Sequence, residues 1–119
     1  MNRFHPLDPH PNAQPPALVR FTELKVEPWP DGRRVRVHAR LTPFQQPPNI
    51  ESVIRDSNGT EVASVYIVEN IDFDLVFTMH IRSSDLTGPF SLHAEISYPE
   101  PGIVHQLDVA FDIPLPDGL

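Results

Sequence analysis

The sequence lacks several features that would assign a protein to a class at once. It contains no cysteine, which excludes a disulfide framework and a thiolate metal site. No stretch approaches the roughly 18 consecutive apolar residues of a membrane-spanning helix. The first 18 residues contain no apolar run of the length that a secretory signal needs. We therefore expect a cytoplasmic protein without disulfides or membrane spans.

Helical patterning is also missing. The chain has 15 prolines among 119 residues, and no window places apolar residues at i, i+3, i+4 and i+7 over three turns without a proline or a β-branched run. Proline inside a helix removes a hydrogen bond and clashes with the preceding turn. The sequence therefore predicts an all-β protein, long enough for one domain with its own core.

The charge balance narrows the class of partner. Nine lysines and arginines against 16 acidic residues give the chain a net charge of −7. A chain with this charge is repelled by nucleic acid and by anionic lipid. We therefore expect no nucleic-acid partner and no membrane partner. Four of the nine basic residues lie together between Arg33 and Arg40, against the acidic trend of the chain.

The two ends of the chain differ from its middle. Residues 1–17 contain five prolines and too few apolar residues to fold alone, which predicts a disordered, proline-rich arm. Residues 18–113 contain the alternating segments and form the predicted β-domain. Residues 114–119 form a short tail.

The clearest strand pattern lies between Arg34 and Leu41. Apolar and polar residues alternate there without a break, so one face of the strand is predicted to be buried and the other exposed. Further segments of similar pattern follow between turn residues. We predict seven strands, at residues 18–27, 33–41, 50–55, 60–69, 74–82, 90–98 and 103–113.

Three local features refine this prediction. A change of phase at Thr22–Glu23 predicts either a bulge in the first strand or a change of sheet partner there. The pair Asn58-Gly59 predicts a tight hairpin, because these residues tolerate positive φ. Trp29 lies between two prolines in the first turn, and we predict that it covers one end of the core; the alternative is that it is presented to a ligand.

Seven short strands at this spacing are typical of a β-sandwich. Residues 86–98, with the sequence LTGPFSLHAEISY, resemble the E–F corner and F strand of immunoglobulin-like and fibronectin type III-like domains. Phe90 stands at the position of a corner tyrosine, so it brings no hydroxyl to that corner. The resemblance implies a seven-stranded, antiparallel, immunoglobulin-like β-sandwich. It also implies that strands 1, 2 and 5 form one sheet and that strands 4, 3, 6 and 7 form the other.

Three arginines, Arg34, Arg36 and Arg40, share the polar face of the second strand. They are candidates for binding an anion or a carbohydrate. No aromatic platform of the kind used for nucleic acid accompanies them in the sequence. The alternative is that they form ordinary cross-strand ion pairs with acidic residues of adjacent strands, namely Glu23, Glu27 and Asp74.

The outer face of the second predicted sheet carries a candidate protein-binding surface. An apolar stripe with an acidic rim is typical of a surface that binds a partner. The stripe consists of Val53, Tyr66, Val68, Val104 and Ala110, and the rim of Glu51, Glu95, Asp108 and Asp112. The alternative is that the fourth strand is inverted, with Tyr66 and Val68 facing the core. The fourth strand is also predicted to be a sheet edge, where it can pair with a copy of itself.

No catalytic machinery is recognisable in the sequence. No serine lies in a strand–turn–helix nucleophile elbow. His38 and His80 are predicted to face outward on adjacent strands, but a metal site usually needs three or four ligands. We therefore expect no enzymatic activity, no metal site and no cofactor.

Three functional hypotheses follow. The first is a non-catalytic protein-binding or assembly module that acts through a sheet face or an edge strand, with a homodimer through residues 60–69 as one form. The second is an accessory or inhibitor-like domain that acts through end loops at residues 56–59 or 83–88. The third is an anion- or carbohydrate-binding module that uses the arginine face.

Overall fold

The computed structural model describes residues 10–83, 86 and 88–114. Within them the chain forms a short 3-10 helix and seven strands. The helix is Pro16–Leu18, and the strands are β1 (Phe21–Pro28), β2 (Arg34–Leu41), β3 (Asn49–Arg55), β4 (Glu61–Ile67), β5 (Asp74–His80), β6 (Phe90–Tyr98) and β7 (Gly102–Phe111). The all-β prediction is confirmed, and each strand lies within three residues of its predicted limits. No helix of the described chain is both long and apolar enough to cross a membrane.

The strands form two antiparallel sheets. One sheet has the order β1-β2-β5 and the other the order β4-β3-β6-β7. Both orders agree with those that the resemblance implied. Strands β1 and β5 are the edges of the first sheet, and β4 and β7 are the edges of the second.

The core lies between the two sheets because both sheets alternate buried and exposed residues. Strand β6 shows this most clearly, with every second residue from Phe90 to Tyr98 buried. The buried residues form two adjoining clusters, one around Phe44 and Ile96 and one around Val35 and Leu92. The predicted interior is therefore confirmed.

The predicted bulge in β1 is also confirmed. The register between β1 and β2 shifts between Phe21 and Glu23, so that Phe21 lies opposite Leu41 and Glu23 opposite Arg40. The extra residue allows the apolar positions on either side of it to face the same core, in spite of the phase change in the sequence.

The hairpin between β3 and β4 differs in detail from the prediction. Gly59 has a φ of +82°, but Asn58 does not have a positive φ. The Gly59 amide donates to the Asp56 carbonyl, and the Asp56 carboxylate accepts from the amides of Asn58 and Thr60. The aspartate therefore holds the loop, and only its last position needs the conformational freedom of glycine.

Part of the proline-rich arm contacts the sandwich. The Gln14 amide donates to the Pro43 carbonyl, and the Gln14 carbonyl accepts from the Gln45 amide. The His10 ring meets the Phe73 ring edge-on at 5.7 Å. These contacts belong to residues 10–17; residues 1–9 of the predicted disordered arm and residues 115–119 of the tail lie outside the described residues.

Candidate functional site

The three arginines of β2 lie on the outer face of the three-stranded sheet, but their surroundings differ. Arg40 Nε donates to Asp74 Oδ1 at 2.6 Å, and Glu23 is its opposite neighbour on β1. The hydrogen bond and the charge of Asp74 raise the pKa of Arg40. Arg40 therefore forms the cross-strand ion pair that was the alternative to anion binding.

Arg34 is held by the turn that precedes it. Its Nε donates to Asp31 Oδ2 at 2.6 Å, while Asp31 Oδ1 accepts from the amides of Arg33 and Arg34. These hydrogen bonds, with the Arg33 amide as the largest cause, lower the pKa of Asp31. Asp31 therefore fixes both the turn and the position of the Arg34 side chain.

Trp29 is the aromatic platform that sequence reasoning missed. The Arg34 guanidinium carbon lies 4.3 Å from the centre of the Trp29 ring, and that of Arg36 lies 4.9 Å from it. A stacked pair of this kind contributes about 0.5–1 kcal/mol at an exposed site. The prediction that Trp29 covers an end of the core is wrong, since the ring lies with the outward-facing arginines. Its amide bonds to the Arg34 carbonyl, so extending the β1–β2 register into the turn would have placed it beside β2.

Arg36 differs from the other two arginines because no carboxylate holds it. Its neighbours in register are Glu27 on β1 and Thr78 on β5. Within the described chain its guanidinium makes the ring contact with Trp29 and no hydrogen bond or ion pair. A shallow cleft of about 330 Å³ lies beside it, lined by Glu27, Pro28, Trp29, Pro30 and Arg36.

The candidate protein-binding stripe is only partly exposed. Tyr66 and Val68 are 57% and 62% exposed, so the alternative in which they face the core is wrong. Val53 faces outward but is only 7% exposed, because it lies on a central strand between Ser64 and His93. The expectation that Val53 lies exposed is therefore wrong.

Val104 also departs from its predicted position. The register between β6 and β7 pairs Ile96 with His105 and Ser97 with Ile103, which leaves Val104 without an opposite residue. At this irregularity Val104 is partly buried and packs against the core cluster around Phe44. The large apolar residues of the stripe that are exposed are thus Tyr66 and Val68, at and just beyond the end of β4, and the small Ala110 is exposed on β7.

The same outer face contains a histidine between two carboxylates. His93 Nδ1 lies 2.8 Å from Asp108 Oδ1, and His93 Nε2 lies 2.9 Å from Glu95 Oε2. Partial burial lowers the pKa of His93, but the hydrogen bonds and charges of Asp108 and Glu95 outweigh it, and the net shift is upward. The i, i+2 spacing of His93 and Glu95 on one strand face was visible in the sequence; the contribution of Asp108 required the β6–β7 register.

His38 and His80 do not lie opposite each other. His38 pairs with Val76, and His80 pairs with Arg34, four residues further along β2. In residues 10–83, 86 and 88–114, no three histidine, aspartate or glutamate side chains are grouped so that they could hold a metal ion.

The sandwich has two lateral sides, and the side formed by β1 and β7 is closed. The Phe21 amide donates to His105 Nδ1 at 2.9 Å, which joins the edges of the two sheets. Burial, with the charge of Arg20, lowers the pKa of His105. The neutral imidazole is the form that can accept this hydrogen bond.

The opposite side, formed by β4 and β5, is open along much of its length. The chain after β5 crosses it at one end, where the Ile81 amide bonds to the Arg33 carbonyl and the Arg82 amide to the Val62 carbonyl. Next to this crossing lies a groove of about 360 Å³. Residues 61–65 and 78–80 line it, together with Arg82. Along the rest of β4, the edge remote from β3 has no strand partner in the described part of the molecule.

These features define the class of fold: a seven-stranded β-sandwich with two antiparallel sheets. No protein-family model matches the chain, and no curated protein matches it.

Solved structures with a similar fold include bacterial β-glucuronidases. An FMN-binding β-glucuronidase from Facaelibacterium prausnitzii L2-6 has a TM-score of 0.58 at 13% identity, covering 79% of this chain and 16% of that one. The Bifidobacterium dentium enzyme has a TM-score of 0.57 at 15% identity, covering 80% and 18%. The Ruminococcus gnavus enzyme has a TM-score of 0.54 at 12% identity, covering 81% and 16%. The chain thus spans less than a fifth of each of these enzymes, and the likeness is one of fold.

Proposed function

We propose that this protein is a non-catalytic assembly module that pairs with a second copy of itself through the free edge of β4. The observation that carries the proposal is the character of residues 62–68. This segment contains no charged residue and no proline, it lies at a sheet edge, and its exposed side chains include Tyr66 and Val68.

The other edge strand of the same sheet, β7, is protected against pairing with another chain, whereas most of β4 is not. Soluble proteins protect edge strands with charges, prolines, bulges or covering segments. Strand β7 has Asp108 among its outward residues, an irregular register at Val104, and the contact of His105 with β1. Strand β4 has Glu61, a register shift at Val62 and the hydrogen bond from Arg82 at its first end. Residues 63–67 of β4 have none of these protections, and an uncharged edge of this kind favours pairing with another strand.

Two-fold symmetry restricts how two β4 strands can pair. Pairing with Tyr66 opposite its counterpart places Glu69 opposite Ala63. In the register with Val65 opposite its counterpart, Glu61 of each copy lies opposite Glu69 of the other. Like charges directly opposite each other are destabilising. We therefore favour the register centred on Tyr66, in which the two four-stranded sheets form one sheet of eight strands.

Light scattering coupled to size-exclusion chromatography tests the proposal. We expect a concentration-dependent dimer for the unmodified protein and a monomer for Tyr66→Arg, because the added charges would face each other at the centre of the interface. Ile103→Arg is the matched control, since Ile103 is an exposed apolar residue on the opposite edge, β7. This variant should still dimerise.

A strict monomer at all concentrations, unchanged by Tyr66→Arg, contradicts the proposal. Circular dichroism and thermal unfolding of each variant establish that the fold is intact, which the exposure of Tyr66 leads us to expect.

The similarity of fold to part of the β-glucuronidase chains also favours a module over a complete enzyme. The immunoglobulin-like relationship, the absence of catalysis and the cytoplasmic location stay predictions. The alternative of action through end loops has no specific support, and residues 84, 85 and 87 of the second loop lie outside the described residues.

A further inference from the structure

A second surface, separate from β4, has the properties of a ligand site. We propose that Trp29, Arg34 and Arg36 form a binding site for a phosphate or sulfate group of a small soluble ligand. The site lies on the outer face of the three-stranded sheet, at the end where the β1–β2 turn meets β5, and it excludes Arg40.

The main observation is that Arg36 contacts the Trp29 ring and not the neighbouring carboxylate. Glu27 is its direct neighbour in register on β1, yet the Arg36 guanidinium lies over the Trp29 ring and forms no ion pair with any described carboxylate. Arg40 and Arg34, on the same strand face, are each bonded to an aspartate at 2.6 Å. Arg36 is thus positioned but not neutralised by a direct contact.

Stacking on an aromatic ring leaves the N–H groups of a guanidinium available at its rim. Arginine has five donors in a planar arrangement that suits the oxygens of phosphate and carboxylate groups. Both guanidinium groups lie over the Trp29 ring, and Asp31 holds Arg34 further through its Nε. Donors that are already positioned lose less conformational entropy when they bind an anion.

Further polar groups adjoin the two arginines on the same face. In the register of β2 with β5, His80 lies opposite Arg34 and Thr78 lies opposite Arg36. Side chains directly opposite each other in an antiparallel pair have Cβ atoms about 4.5–5.5 Å apart. A hydroxyl donor and an imidazole therefore lie beside the guanidinium groups. Glu27 and the Arg34-bound Asp31 are carboxylates that oppose an anion here.

The chain provides its own reporter for this site. It contains one tryptophan, so its intrinsic tryptophan fluorescence comes from Trp29 alone. We expect sodium sulfate and sodium phosphate, titrated at constant ionic strength against sodium chloride, to change this fluorescence with saturation in the millimolar range. Comparison of the midpoints of the sulfate and phosphate titrations shows which oxyanion binds more tightly.

Three variants make the test specific. Arg36→Gln should weaken binding at least tenfold. Arg36→Lys should weaken it nearly as much, because lysine keeps the charge but loses the planar fork and the stack. Arg55→Gln, at an exposed outward position of β3 in the other sheet, is the control and should bind as the unmodified protein does.

Calorimetry of the same titrations separates binding from any direct effect of the Arg36 variants on the tryptophan emission. The proposal is overturned if chloride reproduces the sulfate and phosphate response, if the response does not saturate, or if Arg36→Lys binds like the unmodified protein. The last result would indicate a diffuse charge effect. None of these results depends on whether β4 forms a dimer.

Discussion

At the scale of single residues, Ser52 is the least explained side chain of the core. It lies on β3 with its neighbours Val65 and Ala94 in register, and it is 1% exposed. Its hydroxyl has no hydrogen-bond partner in the described part of the protein. Leaving a buried polar group unpaired costs about 1–3 kcal/mol, so this position reduces the stability of the fold.

We predict that Ser52→Ala raises the free energy of unfolding by about 1 kcal/mol, because it removes an unpaired hydroxyl with little change in volume. Urea denaturation measures this change. Ser57→Ala is the matched control: Ser57 is exposed in the β3–β4 turn, and its substitution should leave the stability within about 0.5 kcal/mol. A loss of stability in Ser52→Ala would mean that the hydroxyl has a partner, such as an internal water.

The residue scale also shows where sequence reasoning was sufficient and where it was not. The alternation along β2 and β6 predicted the buried residues, because a regular strand sends every second side chain to the same face. Trp29 was predicted wrongly although the β1–β2 ladder, extended by its bond to Arg34, gives its outward position. Val104 was predicted wrongly because it lies at a register shift. At such positions the local backbone sets the direction of the side chain, and the sequence period does not apply.

At the scale of elements, Tyr98 connects the end of β6 to the segment between β2 and β3. Its hydroxyl donates to the Gln46 carbonyl at 2.9 Å, across 52 positions of sequence. Burial raises the pKa of Tyr98 to about 12, so the phenol stays protonated and able to donate. Phe90, at the start of the same strand, has no hydroxyl. The hydrogen bond from β6 to an earlier connecting segment is therefore made by Tyr98, at the other end of the strand.

We predict that Tyr98→Phe lowers the free energy of unfolding by about 1 kcal/mol, since it removes this hydrogen bond but retains the buried ring. Chemical denaturation followed by circular dichroism gives the value. Ser57→Ala serves as the control, because it removes an exposed hydroxyl in the β3–β4 turn. Equal effects of the two substitutions would exclude a specific role for the bond to Gln46.

At the scale of the whole molecule, the order of the strands could be predicted but the difference between the two lateral sides could not. Spacing and alternation predicted the seven strands. The resemblance to seven-stranded sandwiches implied their order in the two sheets. Closure of the β1/β7 side includes a hydrogen bond and a ring contact between Phe21 and His105, which are 84 positions apart. A contact of this kind needs the three-dimensional arrangement of both sheets.

Two partly buried histidines, His93 and His105, make the stability of the whole molecule depend on pH in opposite directions. His93 lies between Asp108 and Glu95, which hold its pKa above the ordinary value of 6.5. Its contribution is complete below 6.5 and is lost as the pH rises through the raised pKa of the folded state. His105 faces the Phe21 amide, and burial together with Arg20 lowers its pKa. Its contribution is present above 6.5 and is lost as the pH falls toward the lowered value.

We therefore predict that stability is greatest near the ordinary histidine pKa and that each histidine controls one side of the profile. His93→Gln should remove the loss of stability on the alkaline side of 6.5 and lower the stability on the acidic side. His105→Gln should remove the loss on the acidic side, because a glutamine oxygen can accept from the Phe21 amide at any pH. Urea midpoints between about pH 5 and 9, the range over which a shifted histidine titrates, measure both effects.

His38→Gln is the control, since its outward side chain on β2 makes no cross-sheet bond, and it should leave the shape of the profile unchanged. If both His93→Gln and His105→Gln leave that shape unchanged, neither imidazole is coupled to folding as described.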